Sequence, residues 1–133
     1  MIRAVADTHA VIWHLYADER LSEKAKKAIE QAAKQGDQIG FSAITLIEMV
    51  YLVEKGRIDP NALDRLLAAM ETGNSVLVEI PVTGEVAREM RQVSRESIPD
   101  MPDRIIAATA QTIKVPIISR DGKIKVSGLK TIW

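Results

Sequence analysis

The sequence contains no cysteine, which excludes disulfides and any thiolate metal site and fits a reducing compartment. Aromatic residues make up only 4% of the chain, too few for the base-stacking platforms of single-strand-binding proteins. Charge of one sign is also missing. Lys plus Arg and Asp plus Glu number 18 each, so bulk attraction to nucleic acid is excluded and only a local basic rim remains open. No apolar run is long enough to span a membrane, and Asp7 arrives too early for a signal peptide, so a cytoplasmic protein without a membrane partner is expected. Repeats, low-complexity tracts and linkers are absent as well.

What is present is a chain of 133 residues, 47% of them hydrophobic, enough to build a core without covalent staples. One domain spanning residues 1–133 is expected. Short apolar runs alternate with longer amphipathic segments. Strands are expected at Ile2 to Ala6, Gln38 to Phe41, Val76 to Ile80, Pro116 to Ser119 and Lys130 to Trp133. Helices are expected from His9 to Tyr16, Ser22 to Gln35 and Ala43 to Lys55, with Ser22 and Ser42 as N-caps and Gly36 and Gly56 as stops. Asp59-Pro60 reads as the start of a helix running to Glu71, with Asp59 as cap and Pro60 in the first turn. Two more helices cover Glu85 to Arg95 and Asp100 to Lys114. Strands alternating with helices predict an α/β fold: three layers, with a central, mostly parallel sheet flanked by helices. In such sheets ligands bind beyond the carboxyl ends of the strands, where the strand order reverses.

Four acids stand out against that framework. Asp7 ends the first strand, where it also suits an N-cap. Glu48 is the only charged residue between Gln38 and Val53, on a helix apolar nearly all round, which predicts burial of that helix. A buried carboxylate needs a cation, a hydrogen-bonded partner or a raised pKa. Asp103 lies three residues after Asp100, a spacing that a capping box explains as well. Asp121 leaves the end of another buried strand, although Asp-Gly is also an ordinary turn. If the strands before Asp7 and Asp121 are neighbours, their carboxylates are neighbours too.

Clustered carboxylates do not all stay ionised side by side without a cation. An all-oxygen ligand set favours Mg²⁺ or Mn²⁺ over zinc. Such an ion takes phosphate oxygens and activates water, and the chain shows no Ser-His or Cys-His nucleophile, so phosphodiester hydrolysis is the coherent reaction. Thr8, Ser42 and Ser119 lie close in sequence to the acids and are candidates for orienting them, or for plain capping. Arg104, Arg120, Lys123 and Lys125 are candidates for a basic rim, whereas Arg88, Arg91 and Arg95 read as a solvated helix face. His9 and His14 are five apart, poorly spaced to share a metal from one helix, and read as structural.

Four segments in order resemble the motifs of PIN domains, and more closely those of VapC-type toxins of toxin–antitoxin pairs. They are Val5-Ala6-Asp7-Thr8-His9-Ala10-Val11-Ile12-Trp13, Phe41-Ser42-Ala43-Ile44-Thr45-Leu46-Ile47-Glu48, Asp100-Met101-Pro102-Asp103-Arg104-Ile105-Ile106-Ala107-Ala108-Thr109-Ala110, and Ile117-Ile118-Ser119-Arg120-Asp121. Ser119 stands where the family more often has Thr, with the hydroxyl kept. The resemblance implies a compact α/β fold and a ribonuclease using Mg²⁺ or Mn²⁺. It places the catalytic and metal-binding acids at Asp7, Glu48, Asp103 and Asp121, with Asp100 adjacent. It also implies an RNA substrate, a homodimer and a cognate VapB-type antitoxin. The apolar Glu48 helix is compatible with a partner there, and equally with cover by Leu63, Leu66, Leu67 and Met70. A PIN domain serving RNA processing is an alternative. A receiver-like signalling module fits less well, because it would pair acids at the end of its first strand. A phosphatase with an Asp nucleophile would want an acid where His9 stands.

Overall fold

The computed structural model describes residues 1–133, and its centre is a five-stranded sheet. The strands are β1 (Ile2–Ala6), β2 (Gln38–Ser42), β3 (Leu77–Ile80), β4 (Ile117–Ile118) and β5 (Thr131–Ile132), in spatial order β3-β2-β1-β4-β5. Every neighbouring pair is parallel. Parallel neighbours need crossover connections, and helices supply them. Helices α1 (Thr8–Leu15) and α2 (Glu23–Lys34) link β1 to β2, and α3 (Ala43–Glu54) and α4 (Ala62–Glu71) link β2 to β3. Helix α5 (Gly84–Glu89), a 3₁₀ turn at Met90–Gln92 and α6 (Met101–Ile113) precede β4, and α7 (Gly122–Val126) precedes β5.

Side chains alternate across the sheet, and each face has its own core. Ala4 and Ala6 of β1, Ile39 and Phe41 of β2 and Ile118 of β4 pack with Val11, Trp13, Ile29, Met49 and Leu66. Val5 and Ile117 point the other way, toward Val86, Ile98, Ile106 and Ile124. Burial on both faces is the expected three-layer arrangement. Helix α2 shows how the sequence directs it: Ala25, Ile29 and Ala32 are buried on one stripe while its lysines and glutamates face water. The Ser22 and Ser42 hydroxyls cap α2 and α3 by accepting from the Ala25 and Ile44 amides at 3.1 and 3.2 Å. No helix is long and apolar enough to cross a membrane.

Four local features depart from the sequence-based expectation. Helix α4 starts at Ala62, because Asp59 spends its side chain on the Asn61 amide (2.8 Å) and its carbonyl on Ala62 (3.0 Å), closing a turn around Pro60 first. The helix expected to reach Arg95 ends at Glu89 and tightens into the 3₁₀ turn. There the Arg104 guanidinium donates to the carbonyls of Met90 (2.8 Å) and Val93 (3.3 Å), satisfying groups that a longer helix would have satisfied internally. Arg104 is therefore a fastener between α6 and that turn, not part of a basic rim. The Asp121-Gly122 pair, which also read as an ordinary turn, opens the short helix α7, anchored by the fully buried Ile124 and not expected from the sequence. Finally, α3 is only half buried. Thr45 and Met49 face inward, but Ile47, Val50 and Tyr51 are exposed, since α4 covers one side alone and leaves even its own Leu67 partly open.

Phe41 is the bulkiest side chain with no exposure. Phe41→Ala is expected to lower the unfolding free energy by about 3–5 kcal/mol, measured by urea denaturation.

Candidate active site

The strand order reverses at β1, which has β2 on one side and β4 on the other, and the sequence beyond β1 and β4 enters one cavity. Its volume is about 480 Å³, and its lining holds Asp7, Glu48, Asp100, Asp103 and Asp121 together with Thr8, His9, Trp13, Arg20 and Arg120. All four acids singled out in the sequence thus meet in one place, with Asp100 beside them.

Each acid is held by its local structure. Asp7 is buried, its backbone amide bonded to the Ile118 carbonyl (3.0 Å) and its Oδ1 accepting from the Ala10 amide (2.9 Å), which makes it the N-cap of α1. Asp121 Oδ1 caps α7 through the Lys123 amide (2.9 Å), while its own amide donates to Ser119 Oγ (2.9 Å). Asp100 Oδ2 caps α6 through the Asp103 amide (3.2 Å). Asp103 does not return the bond, so the capping box is only half made and its carboxylate is left for the cavity. Glu48 Oε1 accepts from the Thr8 hydroxyl (2.5 Å), which also lies 3.0 Å from Thr45 Oγ1. Of the three candidate hydroxyls, Thr8 and Ser119 serve the acids, and Ser42 serves only the start of α3.

The electrostatics record this crowding. Partial burial, then repulsion from Asp100, Asp121, Glu48 and Asp7, pushes the Asp103 carboxyl up to about 7. Burial raises Asp7, opposed by the Ser119 hydroxyl, the Ala10 amide and the nearby His9. Burial also raises Glu48, opposed first by Thr8, with Asp100 and Asp7 adding to the rise. The N-termini of α1, α6 and α7 meet at the same place and bring partial positive charge.

As they stand, no three of these acids enclose a position for a metal ion. The donor set itself suits a hard cation: oxygen only, several carboxylates, and repulsion that a divalent charge would relieve. Mg²⁺ keeps much of its water and commonly takes only one or two carboxylates directly, so it does not require a preassembled cage.

His9, Trp13 and Arg20 also line the cavity, and reading the sequence did not assign them there. His9 is exposed and its ring lies 5.6 Å from that of Trp13. A signal existed: His9 is in the first turn of the helix that Asp7 caps, hence at the same end of the sheet. His14 is half buried elsewhere, and burial lowers its pKa.

The family model for the PIN domain matches residues 4–127. The chain belongs to the PIN-domain family. This PIN domain is similar to "Ribonuclease VapC22" of Mycobacterium tuberculosis (strain ATCC 25618 / H37Rv), at 27% identity over 125 residues that cover 94% of this chain and 92% of that protein. Its fold resembles a solved structure of VapBC2 from Rickettsia felis bound to a DNA fragment from their promoter, with TM-score 0.69, 19% identity and coverage of 98% and 97% of the two chains. It also resembles a toxin–antitoxin complex from Klebsiella pneumoniae, with TM-score 0.60, 26% identity and coverage of 91% and 89%. The PIN fold here is related to that of VapC-type toxins.

Because these folded carboxyls titrate above their unfolded values, ionising them costs stability. The contribution of Asp103 is fully present below about pH 4 and is lost as the pH rises through about 7. Without divalent ions, the PIN domain is expected to melt lower at about pH 8 than at about pH 5. Asp103→Asn is expected to reduce that difference in thermal scans followed by circular dichroism.

Proposed function

We propose that this PIN-domain protein is a divalent-metal-dependent endoribonuclease, the toxin of a VapBC-type pair acting in the cytoplasm. The observation that carries the reading is the convergence of Asp7, Glu48, Asp103 and Asp121, from four separate elements, on one open cavity at the carboxyl edge of the sheet. No Ser-His or Cys-His pair competes for the chemistry, and the relative at 27% identity is described as a ribonuclease. The solved relatives include toxin–antitoxin complexes, which supports a VapB-type antitoxin as partner. A homodimer follows from the same family resemblance.

In this reading Asp7, Glu48, Asp103 and Asp121 would hold Mg²⁺ or Mn²⁺, which would supply Lewis-acid charge to a backbone phosphate and lower the pKa of water enough to make it a competent nucleophile. Water oxygen bonds to phosphorus, the bond from phosphorus to the leaving ribose oxygen breaks, and that oxygen gains a proton as the attacking water loses one. The chain's own part is positioning. Thr8 fixes one oxygen of Glu48, and Ser119 ties the Asp121 backbone to the corner beside Asp7. Three helix N-termini limit the repulsion among the acids before any substrate arrives.

Asp7→Asn is the direct test. Asn also caps helices, so α1 should keep its start, and removing a charge relieves repulsion. The expected result is a folded protein, at least as stable as the wild type, whose Mn²⁺- or Mg²⁺-dependent cleavage of structured RNA falls by more than about a hundredfold. Denaturing gels of labelled RNA read the cleavage. Full cleavage by a well-folded Asp7→Asn protein in chelator would sink the mechanism.

A further inference from the structure

One aromatic ring organises the positive charge at the cavity. Arg20 Cζ lies 5.2 Å from the Trp13 ring centroid and Arg120 Cζ 4.8 Å from it, and the Trp133 ring lies 5.8 Å away. Trp13 itself is 5% exposed, so it has no face to offer a nucleotide base. It acts as a support against which the two guanidinium groups rest.

The two arginines are not equivalent. Arg20 forks onto Asp18, Nε to Oδ1 at 3.0 Å and Nη2 to Oδ2 at 2.7 Å, so its charge is already matched. Arg120 is exposed and takes part in none of the chain's ion pairs, which join Asp37 to the N-terminus and Arg3, and Asp18 to Arg20. Of the other cations near the acids in sequence, Arg104 is turned onto backbone carbonyls, and Lys123 and Lys125 lie outside the cavity lining. One guanidinium without a carboxylate partner therefore borders five carboxylates, directly before Asp121 in the chain.

We propose that Arg120, braced on Trp13, is the substrate-positioning residue that takes a backbone phosphate of an RNA strand lying across the acids. The inference rests on the nuclease reading of the site. A polyanion approaching an acidic floor needs a fixed cation at its edge. A planar guanidinium matches two phosphate oxygens at once, and stacking on the indole restricts it before the strand binds. A contact to phosphate carries no base information, so it contributes alike for every RNA sequence.

The test pairs binding with kinetics. A short fluorescein-labelled RNA is titrated against Asp7→Asn protein, which does not cleave it, over a series of salt concentrations. Adding Arg120→Ala is expected to weaken binding about tenfold and to reduce the slope of log affinity against log salt by about 0.7, one single-strand phosphate contact. The loss is expected to be equal for RNAs of different sequence. In the chain with Asp7 intact, Arg120→Ala is expected to raise KM while kcat stays within about twofold. Arg120→Lys restores the salt slope but only part of the affinity, since an ammonium is a point charge. Wild-type slope and KM in folded Arg120→Ala protein overturn the proposal, as does a fall in kcat alone. If that variant matches a wild type that cleaves RNA, the nuclease reading stands and only the role of Arg120 falls. A wild type that neither binds nor cleaves RNA with Mg²⁺ or Mn²⁺ overturns both.

Discussion

The parallel ladder between β1 and β4 carries the rest of the site. It pairs Val5 with Ile117 and Ala6 with Ile118, and it ends on the bond from the Asp7 amide to the Ile118 carbonyl. Ser119 and Asp121 then leave β4 beside the residue that leaves β1. A slip of one residue would turn every side chain of β4 to the opposite face, taking Ile117 and Ile118 out of their separate cores and Ser119 away from Asp7. The apolar pairing that makes the sheet is thus also what sets the distance between two of the acids.

Holding five carboxylates around one cavity opposes folding, and the structure offsets that repulsion locally. Asp7, Asp100 and Asp121 each begin a helix, so three of the five charges sit where backbone amides point at them. Glu48 comes from the middle of a helix and has no such benefit; it takes the Thr8 hydroxyl instead. Asp103 sits in the first turn of α6 but accepts no hydrogen bond, and burial with the repulsion of its neighbours pushes it up to about 7. Capping and clustering are therefore not rival explanations of the same residues. Capping is how most of the cluster is tolerated.

The same point explains what was legible in the sequence. Apolar strands ending in Asp7 and Asp121 announced a sheet edge, and the lone Glu48 in an apolar helix announced a partner for its charge. The parallel, three-layer fold followed from the alternation of elements. Asp103 was ambiguous because spacing alone does not say whether a side chain returns the capping bond. The exposure of Ile47, Val50 and Tyr51 was illegible for a different reason. Composition shows that a helix is apolar, but the length and position of its neighbour decide which sides are covered. His9 could be placed from the Asp7 cap, but Trp13 and Arg20 reach the acids because the Trp13 ring lies beside Arg20, Arg120 and Trp133, and no periodicity records that.

The hydrogen bonds at the acids also bear on how they would meet a cation. An amide or a hydroxyl engages one oxygen on Glu48, Asp100 and Asp121, Asp7 takes the Ala10 amide and the Ser119 hydroxyl, and only Asp103 accepts no hydrogen bond. On the proposed reading, Glu48, Asp100 and Asp121 would therefore favour giving a cation a single oxygen. Ca²⁺ is large and commonly takes carboxylates through both oxygens, whereas Mg²⁺ accepts single oxygens at octahedral corners and fills the others with water or phosphate. On that reading the capping bonds that start the helices would bias the cavity toward the smaller ion and would leave room beside it for the substrate.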